Sequence, residues 1–358
     1  MAKLRIGIIG TGGIAGAHFN SYKNIEEVEI VAGADIVPGK AAEFFKRNGL
    51  TTAKAFNSTQ EMLDTVELDA VSVCTYNSTH SECAVMALNK GLHVLLEKPM
   101  SVTLDQAMDM VRAEKKSGKI LTIGFQPRYD VNMQRVKEII KSGALGKIYY
   151  VQTGGGRRRG MPGGTFIDKS KAGVGALADI GCYALDLALN AIGYPKPLTV
   201  SAVAYDHFGK KEHGKAFEVD DFSAAFVRLE GGITLDFRMS WAMHMDTTGD
   251  FLFLGTEAGL KIKQPHLNLW GGAWDGELGE IRLMHDVVGI PTETVIPLEG
   301  NRGPGLFEKK VRAFVDAVIN KKPAPIPSSE IIYNQAIIDG IQRSNALGKE
   351  VDVVIDKI

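Results

Sequence analysis

The stretch Leu4–Ala15, LRIGIIGTGGIA, decides the fold. Leu4–Ile9 is a short apolar run ending at Gly10, the pattern of a buried strand. Behind it, Gly10-Thr11-Gly12-Gly13-Ile14-Ala15 fits G-x-G-x-x-G/A, and Ile14–Tyr22 reads as a helix. At this spacing Gly10 allows a tight turn, Gly12 lets the backbone approach a pyrophosphate, and Ala15 is small enough for the helix to pack on the sheet. The helix N-terminus, with free N–H groups and the positive end of the dipole, suits the phosphates. Glycine-rich turns are common; this one carries weight because it follows a strand and opens a helix.

Working outward, Val28–Ala34 is a second strand closed by Asp35, 20 residues beyond Ala15. A carboxylate at that place is expected to accept from both ribose hydroxyls. It repels a 2′-phosphate, so NAD is expected in preference to NADP, and Lys40 is near enough in sequence to soften the preference. Pro38–Asn48 reads as a helix and Thr51–Ala55 as a weak strand. Ser58 caps a helix through Leu63, with Glu61 completing a capping box. Ala70–Cys74 is a strand, Ser78–Asn89 a helix, Leu92–Leu96 a strand, Thr103–Lys116 a helix and Ile120–Gly124 a strand. Alternation of this kind means a doubly wound parallel sheet. The loop holding Thr75, Asn77 and His80 and the turn Glu97-Lys98-Pro99 then lie at the carboxyl ends of strands, where open α/β sheets bind ligands.

The second half reads differently. Lys147–Thr153 is a strand, and Gly154–Gly175 follows with eight glycines, Arg157-Arg158-Arg159 and little periodicity. An irregular connection this long is usually functional or mobile, and most of its arginines are expected in solvent. Thr199–Tyr205, Phe222–Leu229, Ile233–Trp241, Phe251–Leu254 and Leu260–Lys263 are strands without helices between them, hence antiparallel, with Glu230-Gly231-Gly232 as a hairpin turn. Leu306–Ile319 and Ile331–Leu347 are helices, and Val351–Ile355 reads as an edge strand. Trp241, His244, Trp270 and Trp274 are candidates to contact a ligand through their aromatic faces. We expect domains at 1–125 and 126–358, with the C-terminal helices packing back near the first. An open sheet face invites a second subunit, so a homodimer or homotetramer is expected.

Between the arginines and these strands lies Val174–Gly193, VGALADIGCYALDLALNAIG, apolar nearly all round and so a buried helix. Asp179, Tyr183, Asp186 and Asn190 are spaced 4, 3 and 4, which at about 3.6 residues per turn makes one polar stripe. Buried carboxylates need partners, so the stripe faces either a structural network or a ligand.

The chain's 358 residues are 45% hydrophobic and 23% charged, as in ordinary globular proteins. The formal net charge is −1, from 41 basic and 42 acidic residues, which argues against nucleic acid or an anionic membrane as partner. Cys74, Cys83 and Cys182 form no metal-ligand spacing and no disulfide framework, so no metal is expected and a reducing cytoplasm is the expected compartment. No apolar run reads as a spanning helix of about 18 residues, and the N-terminus lacks the pattern of a signal peptide.

The glycine turn, Asp35, the Thr75/Asn77/His80 loop and Glu97-Lys98-Pro99 together resemble the glucose–fructose oxidoreductase / inositol dehydrogenase (Gfo/Idh/MocA) family. The resemblance continues through Gly124-Phe125-Gln126-Pro127-Arg128-Tyr129 to Gly173–Asp186, about the first half of the chain. It implies an α/β plus α+β protein: an N-terminal Rossmann domain and a C-terminal domain with a mostly antiparallel, open-faced sheet. It implies hydride transfer between NAD, or NADP, and a sugar, cyclitol or related polyol or keto-sugar. Cofactor contacts are implied for Gly10, Gly12, Gly13, Ile14, Asp35, Thr75, Asn77, His80, Glu97, Lys98 and Gln126. Substrate contacts are implied for Lys98, Arg128, Asp179 and Tyr183, with His244 added as an aromatic candidate, and catalysis for Lys98, Tyr183 and Asp179. The family's D-x-G-x-H-x-x-D pattern reads Asp179-Ile180-Gly181-Cys182-Tyr183-Ala184-Leu185-Asp186, with tyrosine at the usual histidine. A free phenol has a pKa of about 10; a cation such as Lys98 within reach would lower it. Tyr183 could then take a hydroxyl proton as hydride leaves the same carbon. Two other readings are an NAD-dependent glycosidase working by transient oxidation and a non-catalytic NAD- or sugar-binding sensor. Lys98, Asp179 and a titratable Tyr183 argue against the sensor, which needs no proton relay.

Overall fold

A computed structural model describes residues 3–245, 248–263, 280–300 and 303–356. The chain divides into two compact units: unit 1 joins Met1–Phe125 to Pro304–Ile332, and unit 2 joins Gln126–Gly303 to Tyr333–Lys357.

Unit 1 opens with β1 (Leu4–Ile9), α1 (Gly13–Lys23), β2 (Val28–Ala34), α2 (Lys40–Arg47), β3 (Lys54–Phe56) and α3 (Thr59–Thr65). It continues with β4 (Ala70–Val73), α4 (His80–Asn89), β5 (His93–Leu96), α5 (Leu104–Ser117) and β6 (Leu121–Ile123). The six strands form a parallel sheet in the order β3-β2-β1-β4-β5-β6, whose direction of growth reverses between β1 and β4. α2 begins at Lys40, not at Pro38, because Asp35 first draws the Val37 N–H into a turn at 3.0 Å. β3 is shorter and later than expected, and α3 runs on to Thr65, its first turn capped by Ser58. The core on one side of the sheet packs Ile6 and Ile8 against Phe19, Tyr22, Phe44 and Phe45. Val311, Phe314 and Val315 of the helix Leu306–Ile319 complete that core. Each large apolar side chain buried here contributes about 1.5–3 kcal/mol, so this late helix is an integral part of the unit.

Unit 2 carries β7 (Ile148–Gly156), β8 (Pro197–Tyr205), β9 (Phe222–Leu229), β10 (Ile233–Ser240), β11 (Phe251–Gly255) and β12 (Ala258–Lys263). β13 (Glu280–Val287), β14 (Ile290–Ile296) and β15 (Val351–Asp352) complete its sheet. The order is β14-β13-β12-β11-β7-β10-β9-β8-β15. Pairing is antiparallel except between β7 and β10, which run parallel from Thr234↔Tyr150 to Ser240↔Gly156. The sheet is thus mostly antiparallel, as expected, and β10 comes to lie beside β7 after the chain has built the buried helix, β8 and β9. The stretch expected to be irregular from Gly154 is also partly ordered. β7 continues to Gly156, a 3₁₀ turn covers Gly164–Phe166, and Asp168 caps the short helix Lys169–Ala172. β13 and β14 are strands that the sequence pattern does not reveal.

The apolar stretch opens as a π-helical turn, Leu177–Gly181, and continues as the α-helix Cys182–Ala191. By length and composition Lys169–Ala191 could cross a membrane, but its apolar window is wholly buried in the folded protein. It is a core helix, held at its start by Asp220, which accepts from Gly175 N–H at 2.7 Å and Leu177 N–H at 3.0 Å.

Candidate active site

The register of the parallel sheet places the expected cofactor residues in one row. Hydrogen bonds run from Gly10 N–H to Ala34 O (2.8 Å) and from Cys74 N–H to Ile9 O (2.7 Å). The row continues with Glu97 N–H to Val73 O (3.0 Å) and Gly124 N–H to Leu96 O (2.7 Å). Gly10, Asp35, Cys74, Glu97 and Gly124 are therefore the first residues past five adjacent strands, at the edge where such sheets bind ligands.

Gly10 has φ +83, and a Cβ there would lie 2.7 Å from Cys74 O, so the turn needs glycine. At Gly12 and Gly13 an added Cβ would meet nothing within 4 Å. The turn is closed beneath and open above, as a backbone cradle for pyrophosphate requires. The nearly buried Asp35 accepts from Thr11 N–H and Oγ1–H, both at 2.9 Å, and lies 3.2 Å from the Lys40 ammonium. Burial pushes its pKa up, but these donors and Val37 N–H prevail and hold it below the ordinary aspartate value. The carboxylate thus braces the glycine turn as well as closing β2. Thr75 and Asn77 are half-buried between β4 and α4. His80 is buried, and its Nδ1–H donates to Pro99 O at 2.8 Å, tying that loop to the Glu97-Lys98-Pro99 turn. Glu97 points inward, with one carboxylate oxygen on His18 and Lys310. Lys98 is partly exposed immediately after β5.

In unit 2 the polar stripe divides in two. Asp179, within the π-helical turn, accepts from Trp241 Nε1–H at 3.0 Å, and the Tyr183 hydroxyl pairs with the Gln126 amide at 3.0 Å. Asp186 and Asn190, nearer the other end, are taken by structure. Arg128 grips Asp186 through Nε (3.0 Å) and Nη2 (2.8 Å) and also donates to the Tyr194 hydroxyl at 2.8 Å. The Arg128 and Asp186 side chains are 9% and 1% exposed. Lys137 donates to Asn190 at 2.7 Å. Arg128, expected at the substrate, is thus drawn into a buried ion pair by Asp186, and Gln126, expected at the cofactor, is drawn to Tyr183. Trp241 is fully buried and serves Asp179, whereas His244 is exposed and packs on Phe208 with ring centroids 5.2 Å apart. Trp270 and Trp274 lie outside the described residues.

Sequence reasoning missed three things here. Asp220 caps the buried helix, signalled only by the doublet Asp220-Asp221 before a strand. Trp241 holds Asp179, a pairing across 62 residues with no local pattern. Arg157 does not share the exposure of Arg158 and Arg159. Burial lowers its pKa while Asp179 raises it, so its charge acts in the same region as the Asp179 carboxylate. Among the described residues no group of His, Cys, Asp and Glu could hold a metal ion.

Comparison with known proteins bears on the family and the fold. A model described as an oxidoreductase family with an NAD-binding Rossmann fold matches residues 4–125, and one described as a GFO/IDH/MocA C-terminal domain matches residues 133–261. The chain is 32% identical to a D-glucoside 3-dehydrogenase of Escherichia coli over 276 residues, 74% of this chain and 78% of that protein. It is 29% identical to a myo-inositol 2-dehydrogenase of Thermotoga maritima over 231 residues, 64% of this chain and 66% of that protein. The structure of a levoglucosan dehydrogenase in complex with NADH superposes with a TM-score of 0.80 at 21% identity, over 98% of this chain and 99% of that one, a likeness of fold. The fold and these matches define an NAD-binding oxidoreductase. Within that class, the chain belongs to the Gfo/Idh/MocA family.

Proposed function

We propose that this enzyme transfers hydride between NAD and a hydroxyl-bearing carbon of a sugar or cyclitol. Lys98 and Tyr183 handle the hydroxyl proton, and Asp179 orients the substrate. The observation that carries the reading is the single row at the sheet edge, where the Lys98 turn after β5 and the glycine turn after β1 flank the Thr75 loop after β4. The names of the D-glucoside and myo-inositol dehydrogenases among its relatives support the substrate class. NAD, when bound, supplies the hydride acceptor. The chain's own residues do the rest. The open turn at Gly12, Gly13 and Ile14 receives the pyrophosphate, and Asp35 accepts from the ribose hydroxyls. Thr75, Asn77 and His80 border the nicotinamide half. The Gln126 amide sets the direction of the Tyr183 hydroxyl, and Trp241 sets that of Asp179. NAD is the preferred cofactor, because a 2′-phosphate would meet the Asp35 carboxylate. The exposed apolar residues Tyr149, Leu198, Val203 and Phe226 on the unit 2 strands support a homo-oligomer, checked by light scattering.

The test is a screen for NADH formation with D-glucosides, myo-inositol and keto-sugars, each with NAD and NADP. Turnover with a member of this panel is expected. Tyr183→Phe should lower it by about 10²–10⁴, and Lys98→Ala should abolish it while leaving NAD bound. Normal turnover in Lys98→Ala, or glycoside cleavage without net NADH, refutes the assignment.

A further inference from the structure

Lys310 is a buried lysine, 2% exposed, on the face of the helix Leu306–Ile319 that carries Val311 and Phe314 into the unit 1 core. An ammonium in such a place is costly unless it is paired and hydrogen-bonded. Its Nζ donates to Glu97 Oε1 at 2.5 Å, and His18 Nε2 lies 2.8 Å from the same oxygen. Burial and the Lys310 charge both lower the His18 pKa, so the ring is neutral. Its tautomer follows from its partners. His18 Nδ1 lies 3.0 Å from Ser72 Oγ, which lies 2.8 Å from the Tyr22 hydroxyl. Tyr22 donates to Ser72, Ser72 to His18 Nδ1, and His18 Nε2–H to Glu97. Burial pushes the Glu97 pKa up, but Lys310 and His18 prevail and hold it well below the usual range, so Glu97 is an anion.

The other Glu97 oxygen, Oε2, accepts the backbone N–H of Lys98 at 3.3 Å. On the far side of Lys98, Pro99 O is held by His80. The fit around the carboxylate is close: a Cβ at Gly124 would come 2.9 Å from Glu97 Oε1 and 3.2 Å from Lys310 Nζ. Asp35, past β2, is held instead by Thr11 of the glycine turn and by Val37.

We propose that Lys310 and His18 are positioning residues that act through Glu97 to fix the backbone of Lys98, and so the place from which its ammonium works. The proposal rests on the assignment of proton transfer to Lys98. It separates two properties: NAD binding, held by the glycine turn and Asp35, and turnover, held by a lysine whose support comes from a helix more than two hundred residues later in the chain.

The test uses the whole 358-residue chain. In [¹⁵N]lysine-labelled protein without cofactor, the Lys98 amide resonance is assigned by its loss in Lys98→Ala. In Lys310→Met its proton should move upfield as the charged acceptor is lost. Turnover with methyl β-D-glucoside and myo-inositol should fall by about 10²-fold, the usual effect of misplacing a reacting group by about 1 Å. NADH affinity, read by its fluorescence, should stay within about threefold, a change under 1 kcal/mol. An unmoved amide, or wild-type turnover in Lys310→Met, overturns the positioning role while leaving Lys98 its own. Normal turnover in Lys98→Ala overturns the Lys98 assignment and the positioning role with it. Should Lys310→Met not fold, Glu97→Gln/Lys310→Met removes both charges together, and the amide and turnover readouts carry the test.

Discussion

Asp35→Ala tests the cofactor reading most directly, because the structure gives this carboxylate two roles that can be separated. One is internal: Asp35 accepts from Thr11 twice and from Val37 once, and so braces the glycine turn. The other is the proposed contact with the adenosine ribose. A hydrogen bond to a charged group is worth about 1.5–3 kcal/mol, so losing one ribose contact should weaken NADH binding about 10- to 150-fold. NADPH binding should not weaken in step. The repelling carboxylate is gone, and Lys40, 3.2 Å from it in the native protein, is released toward the phosphate. Loosening of the turn affects both cofactors alike and cancels in the ratio of their affinities. Thr11→Val supplies the control, since it removes one tether to Asp35 and should leave that ratio in place. The assay is fluorescence titration of NADH and NADPH on the wild type and both variants. An unchanged NADH-to-NADPH ratio in Asp35→Ala refutes the ribose role; a changed ratio in Thr11→Val shows that the turn, and not the carboxylate, sets the preference.

Two further outcomes follow from the buried ion pairs. Arg128→Met leaves the Asp186 carboxylate buried with its main partner gone, which should cost about 3–5 kcal/mol and lower the thermal midpoint by about 10 °C. Arg128→Met/Asp186→Asn should recover most of that loss, and an equally unstable double variant refutes the pairing as the cause. His18→Gln should alter the pH dependence of stability. The folded pKa of His18 lies below its ordinary value, so the unfolded chain binds a proton first as the pH falls through about 6.5. The stability associated with neutral His18 is therefore present above that pH and lost below it, at up to about 1.4 kcal/mol per pH unit. Denaturant midpoints at pH 7 and pH 5 should separate less in His18→Gln than in the wild type, and equal separations refute the reading.

Unit 1 was legible because its strands are short apolar runs buried on both faces and its helices end at recognisable caps. The boundaries that shifted did so where a side chain overrode local pattern, as Asp35 does before α2. β13 and β14 were illegible for the opposite reason. Their residues are mostly exposed on both faces, so no period-two alternation marks them. Their turn is Val288-Gly289, with φ of 53 and 74; valine there gives none of the usual Asn-Gly signal. At the site, Asp179 and Tyr183 could be picked out by spacing on a helix, but their partners Trp241 and Gln126 lie far along the chain. Lys310 was hidden most completely. A lysine in an amphipathic helix is read as a solvated residue, and only the fold brings Glu97 to it.

The helix Leu306–Ile319 has a consequence for how the protein is made. Unit 1 begins ahead of unit 2 along the chain, yet its core lacks Val311, Phe314 and Val315 until most of unit 2 has been synthesised. At about 5–20 residues per second, the ribosome needs on the order of ten to forty seconds to pass from the end of β6 to this helix. Through that interval the nascent sheet exposes one apolar flank and carries Glu97 without its lysine. A premature stop before Lys310 would leave a glycine turn on a sheet whose core lacks Val311, Phe314 and Val315.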